Sequence, residues 1–192
     1  MIGYLTGTLI HKGDKYVLID VSGVGYKVFV STETINSVVE DRTVSMWTHL
    51  VVREDVLDLY GFLSEQELDF FKLLIGVSGI GPKGALGIMN IASVQTLASA
   101  ISAGDLSYLT KVSGVGKKSA EKIVLELRDK VGLIFGVGEY SQFDREDMDV
   151  IEALKSLGYR ERESREALKQ LPLTLKGTSQ KISEALKLLG TK

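Results

Sequence analysis

Apolar and polar residues alternate through the first third of the chain, then switch to helical spacing near residue 64. Tyr4–Ile10 and Tyr16–Val21 flank a Lys12-Gly13-Asp14 turn, and Tyr26–Ser31 follows Ser22-Gly23-Val24-Gly25. Val44–Val52 and Val56–Phe62 flank Arg53-Glu54-Asp55. A period of two bounded by turn residues predicts strands, and five of them are enough to close a small barrel over residues 1–63. Ser64-Glu65-Gln66-Glu67 has the form of a capping box, and Leu68, Phe70, Phe71 and Leu74 follow it at helical intervals. Pro82 stands just inside another helix start, where its missing N–H costs nothing. Residues 64–134 therefore read as all-α. The glycines and mixed charges up to residue 146 predict a flexible linker over 135–146. Beyond it, helices are expected at about 147–157, 161–170 and 178–189, with Gly158 and Pro172 as stops. They would form a small three-helix bundle with a thin core over 147–192.

One motif occurs twice, 35 residues apart. Val77-Ser78-Gly79-Ile80-Gly81-Pro82-Lys83 is echoed by Val112-Ser113-Gly114-Val115-Gly116-Lys117-Lys118, and residues 71–89 match 106–124 at eight of nineteen positions. Two glycines one residue apart allow a tight turn that exposes successive backbone N–H groups. A helix opening just after the turn adds the positive end of its dipole, and a lysine adds a full charge. Gly79, Gly81 and Lys83, with Gly114, Gly116, Lys117 and Lys118, are thus candidate phosphate ligands. Glycines serving as helix caps explain one copy, but less readily two copies with lysine at the same offset. Gly79-x-Gly81-x-x-Gly84 also matches a dinucleotide fingerprint, with Leu73–Val77 as its strand and Asp105 downstream. Ser119 in place of the third glycine of the second copy, and the lack of βαβ alternation, count against that reading.

Composition narrows the chemistry further. With 44% hydrophobic and 25% charged residues the chain has an ordinary globular makeup. No apolar run approaches the roughly 20 residues of a membrane span, and the N-terminus lacks the pattern of a signal peptide, so the expected location is cytoplasmic. Cysteine is absent, which excludes disulfides and thiolate metal sites. His11 and His49 stand in strand-like segments without a ligand cluster, so no metal or cofactor is expected. No Walker lysine motif appears and nothing in the chain supports catalysis. The net charge is −2 overall: −3 over residues 1–63, +1 over 64–134 and 0 over 135–192. Any grip on nucleic acid must then come from placed groups rather than bulk charge.

The paired turns resemble the helix-hairpin-helix motif of DNA-binding proteins. Together with the barrel before them and the bundle after them, the whole chain resembles the RuvA family, the Holliday-junction-binding subunits of the bacterial branch-migration complex. The most specific pieces are the hairpin pair, Asp20-Val21-Ser22-Gly23-Val24-Gly25-Tyr26 and Ala153-Leu154-Lys155-Ser156-Leu157-Gly158-Tyr159. The resemblance implies an OB-like barrel, a tandem helix-hairpin-helix domain and a UBA-like bundle. It implies a non-catalytic homotetramer on a four-way junction, as one tetramer or two facing each other, that recruits the hexameric ATPase RuvB; a junction resolvase is a further expected partner. Two acids at the barrel hairpin tip, Glu54 and Asp55, are on sequence alone a solvated turn; the resemblance makes them an acidic pin at the junction centre. Leu154, Leu157, Tyr159, Leu186 and Leu189 read first as core packing, at least half of them, and the resemblance offers them as an apolar patch for the ATPase. Two rivals remain. A helix-hairpin-helix glycosylase needs an aspartate eighteen to twenty residues beyond its hairpin, where Val131–Gly136 holds no acid. A single-strand-binding barrel needs a basic groove with stacking aromatics, whereas this barrel is acidic with Trp47 its only tryptophan.

Overall fold

The alternating pattern forms β1 (Tyr4–Lys12), β2 (Tyr16–Val21), β3 (Val24–Phe29), β4 (Thr43–Val52) and β5 (Leu57–Phe62). The computed structural model describes residues 1–137, 145–172, 175 and 177–190. The strands pair in the order β1-β2-β3-β5-β4 and the β1–β4 ladder closes the barrel. Neighbours are antiparallel except β3 and β5, which pair in parallel through Val28↔Leu59 and Phe29↔Tyr60. Every second residue points inward, which puts Leu9, Val17, Ile19, Val28, Met46 and Leu59 into one core. The Asp20–Tyr26 stretch is a tight β2–β3 turn. Ser22 and Gly23 both take positive φ, 54° and 88°, and the Asp20 carboxylate accepts from the Gly23 N–H at 2.8 Å.

Between β3 and β4 lies a helix that the alternation did not reveal, α1 (Thr32–Ser37), with Ser31 Oγ accepting from the Thr34 N–H at 3.1 Å. Its six residues are too few to display a helical period.

The helical region comprises α2 (Glu65–Gly76), α3 (Pro82–Met89), α4 (Val94–Ala103), a 3₁₀ turn at Leu109–Lys111, and α5 (Lys117–Phe135). Ser64 caps α2 as expected, its Oγ accepting from the Glu67 N–H at 3.2 Å. The Glu67 carboxylate departs from a strict capping box by accepting from the Leu63 N–H, 3.1 Å away, rather than from Ser64. Phe71 fastens α2 to the barrel, its ring centroid 5.3 Å from Tyr60, 4.8 Å from Phe62 and 5.6 Å from His49. Barrel and hairpin region thus fall in one compact unit, Met1–Val131, and the change of pattern at residue 64 lies inside it.

Gly132–Lys192 is the second unit. It contains α6 (Arg145–Ser156), α7 (Glu161–Lys169) and α8 (Thr178–Gly190) around a small core of Val150, Ile151, Leu154, Ala167, Leu168 and Ala185. Lys181 ties α8 to the start of α6, its Nζ 2.7 Å from Asp147 and 3.4 Å from Glu146. Of the linker expected over 135–146, residues 138–144 lie outside the described residues; Phe135 ends α5 and Arg145 begins α6. Among the described residues no single helix is long and apolar enough to cross a membrane.

Candidate nucleic-acid interface

Both copies of the motif build the same turn. In the first, Val77 N–H donates to the Leu74 carbonyl at 3.1 Å and Ile80 N–H to the Val77 carbonyl at 3.0 Å. In the second, Val112 N–H donates to Leu109 at 3.3 Å and Val115 N–H to Val112 at 3.0 Å. Gly79 and Gly114 hold the third turn position at φ +93° and +87°, the left-handed setting of a type II turn that strains any L side chain. The apolar identities of the repeat, Leu74/Leu109, Val77/Val112, Ala85/Ala120 and Ile88/Ile123, are all buried. Its polar identities, Ser78/Ser113, Gly79/Gly114, Gly81/Gly116 and Lys83/Lys118, lie outside the core. The repeat therefore encodes a packed inner side and a presented outer side.

Each turn runs straight into a helix. The first backbone bonds of α3 and α5 are Ala85 N–H to the Gly81 carbonyl, 2.9 Å, and Ala120 N–H to the Gly116 carbonyl, 3.0 Å. The N–H groups before them have no intrahelical acceptor: Gly81, Lys83 and Gly84 at one hairpin, and Gly116, Lys117, Lys118 and Ser119 at the other. Pro82 removes one donor, and no side chain caps α3. Free amides and the positive end of the helix dipole meet at each helix start, and Lys83 and Lys118 stand in the first turns of those helices, the kinds of group from which phosphate sites are built. Lys83 and Lys118 make no ion pair among the described residues, and Lys117 stands 4.0 Å from Glu121 with both side chains exposed. A further cation, Lys111, lies just ahead of the second turn, with its Nζ 5.3 Å from the Tyr108 ring centroid. The repeat gave no sign of it, because its counterpart in the first copy is Gly76. The dinucleotide alternative fails on this geometry: Leu73–Gly76 belongs to α2, so no strand precedes the glycines.

Glu54 and Asp55 form the tip of the β4–β5 hairpin in the same compact unit, both exposed. The tip is closed by Arg53 N–H to the Val56 carbonyl at 2.8 Å and Val56 N–H to the Arg53 carbonyl at 3.4 Å. His49, on β4, has its pKa lowered below the ordinary 6.5 by burial and by the charge of Lys72.

In the second unit the five apolar candidates separate. Leu154 is fully buried in the bundle core. Tyr159, Leu186 and Leu189 are half-buried against that core, whereas Leu157 is 60% exposed. Leu188, also exposed, was not singled out by the sequence pattern.

Three family models match successive parts of the chain: RuvA N terminal domain over residues 1–61, SAM-like Helix-hairpin-helix tandem over 71–129, and RuvA, C-terminal domain over 148–190. The Holliday junction branch migration complex subunit RuvA of Acidovorax ebreus is 45% identical over 190 residues, covering 98% of this chain and 99% of the relative. The chain belongs to the RuvA family. RuvA subunits of the same description from Alkaliphilus oremlandii and Leptothrix cholodnii are 40% identical over 192 residues and 44% identical over 191. They cover 98% and 99% of this chain, and 99% and 100% of the respective relatives. The acidic tip lies within the first match and the hairpin pair within the second, while the bundle lies within the third except for the first three residues of α6.

Proposed function

We propose that this chain binds four-way DNA junctions by shape, without reading sequence, and serves as the non-catalytic subunit of a branch-migration complex in the cytoplasm. The observation that carries the proposal is the pair of hairpins with matching turns, free amides and unpaired lysines, in one compact unit with an acidic tip. Amides and lysines hold phosphates and carry no base readout. Carboxylates repel phosphates, so Glu54 and Asp55 disfavour an ordinary duplex lying across them and favour a centre where strands part. Relatives that match over nearly the whole chain are described as Holliday junction branch migration complex subunits. Four copies would surround the junction with four pairs of hairpins and four tips, turning weak grips into tight binding through effective concentration. The second unit would dock a RuvB-type hexameric ATPase through Leu157, with Tyr159, Leu186 and Leu189 forming the partly covered margin and Leu154 supporting them from the core. ATP hydrolysis belongs to that partner.

A gel-shift competition tests the reading. A labelled immobile four-way junction is challenged with unlabelled junction, duplex and single strand of the same sequences. Junction should compete at least about a hundredfold better than duplex, with the same ratio for unrelated arm sequences, a coupling of about 2.7 kcal/mol. Equal competition by duplex, or a preference for single strands, would refute it.

A further inference from the structure

Strand alternation gives the β4–β5 hairpin two faces. One is the barrel's inward face, on which Thr48↔Gly61 and Leu50↔Leu59 are paired; Leu59 is buried in the core and Leu50 packs against it. The next pair outward on that face is Val52↔Leu57, and these side chains are 68% and 73% exposed. The hairpin therefore outruns the barrel, and its core-facing column continues past the last core contact with two large apolar groups that cover nothing. On the other face the pairs are Val51↔Asp58 and, further in, His49↔Tyr60 and Trp47↔Phe62, with His49, Tyr60 and Phe62 packed on Phe71 and the charges of Asp58 and Arg53 acting on Tyr60. Glu54 and Asp55 close the end, Glu54 two residues beyond Val52, or about 7 Å at the strand rise.

The tip and the exposed pair select different parts of DNA. Carboxylates repel phosphates, while an apolar side chain gains nothing from a phosphate and does gain from the face of a base. Leucine and similar side chains act as wedges between base steps in other DNA-binding proteins. We infer that Val52 and Leu57 are an apolar shoulder that seats against unpaired bases at the junction crossing and keeps them unstacked. The inference rests on the junction-binding reading. The occupant follows from the charge pattern and from continuity with the acidic tip. Once the carboxylates hold the backbones apart, bases are the part of the DNA left to meet the surface behind them. The two steps divide the work: charge parts the strands, and apolar contact retains the parted bases.

The test uses the full chain and two immobile four-way junctions, one with 2-aminopurine at the crossing and one with it in mid-arm, at protein concentrations that saturate the gel shift. The wild-type chain should raise the crossing fluorescence by at least about threefold over free junction and leave the mid-arm probe unchanged, because unstacking relieves quenching. Val52→Thr with Leu57→Thr, which keeps strand-forming side chains, should lose at least about half of that rise. Val52→Ile with Leu57→Met should retain it. Should the threonine pair not fold, Leu57→Gln alone gives the same readout with a smaller loss. An equal rise in the polar and apolar variants overturns the inference. So does a lower sedimentation mass of the threonine variant without DNA, which would make the pair a contact between copies. Loss of junction preference by the wild-type chain would sink the function reading itself; retained preference without a crossing-specific rise sinks the shoulder alone.

Discussion

Gly79 and Gly81 stand two residues apart and are glycine for different reasons. Gly79 sits at φ +93°, where alanine costs about 1–2 kcal/mol of backbone strain. Gly81 has φ −88°, and a Cβ added there meets nothing within 4 Å. Gly81→Ala should therefore cost only about 0.5 kcal/mol of stability, as a modest change of N-cap. Its Cβ would, however, stand among the amides that face the phosphate, so junction affinity should fall about tenfold, or about 1.4 kcal/mol. Denaturant melts and a junction titration of Gly79→Ala and Gly81→Ala separate the two effects; wild-type affinity for Gly81→Ala would place the phosphate elsewhere. At the tip the expected sign is reversed. Glu54→Gln with Asp55→Asn removes repulsion, so duplex binding should strengthen and junction preference over duplex should fall by about tenfold in the same competition. An unchanged preference would remove the tip from the recognition mechanism.

The end of helix α6 gives two fates to similar residues. Leu154 and Leu157 are three apart, which on a continuing helix would put them on one face. The helix ends at Ser156 and Gly158 turns the chain at φ +96°, so Leu157 leaves the buried stripe while Leu154 stays in it. Leu154→Ala should destabilise the bundle by about 2–5 kcal/mol. Leu157→Ala should change stability by less than about 0.5 kcal/mol and weaken binding to the ATPase, measured by calorimetry. An unaltered ATPase affinity would leave Leu157 without its proposed role.

The lengths and ends of elements also set how far the sequence could be read. Five strands were legible because each alternates over enough residues, and the hairpins because the repeat separates buried from exposed positions. α1 was hidden by its length, and the exposure of Leu157 by a helix that ends at Ser156, one residue short of the span read from spacing and Gly158. The seam between α2 and the barrel was hidden as well, since Phe71, Tyr60 and His49 meet only through the fold. That seam has a pH dependence. Burial and Lys72 lower the pKa of His49 below 6.5, so the unfolded chain takes up its proton first as pH falls. Stability should be full above about 6.5 and be lost on descending from there to the lowered value. Glu67 works the other way: burial raises it above 4.5, against the Leu63 N–H and with help from Glu33, so acidification stabilises near that lower range. His49→Gln should shrink the difference between melting temperatures measured at about pH 7.5 and about pH 6. A difference that survives the substitution would assign it to another group.

At the scale of the whole molecule, the chain divides into two compact units, and the proposed DNA grip and the proposed motor dock fall in different ones. Met1–Val131 contains the barrel core, both hairpins and the acidic tip, while the bundle has a core of its own. A chain ending after Val137 keeps α5 entire and removes every residue of the bundle helices. It should fold, because no core residue of the barrel comes from beyond the cut. It should also retain the oligomeric state of the full chain and bind junctions within about threefold of it, since fourfold avidity depends on the grips that remain. Stimulation of the ATPase by junction and protein together should vanish, because the motor loses its attachment while the DNA keeps its clamp. Sedimentation with and without junction, a junction titration and an ATPase assay on the same preparation check the three claims. A truncated chain that becomes monomeric and loses junction binding would show that the bundle helps to build the frame. One that still stimulates the motor would move the docking surface onto the DNA-binding unit.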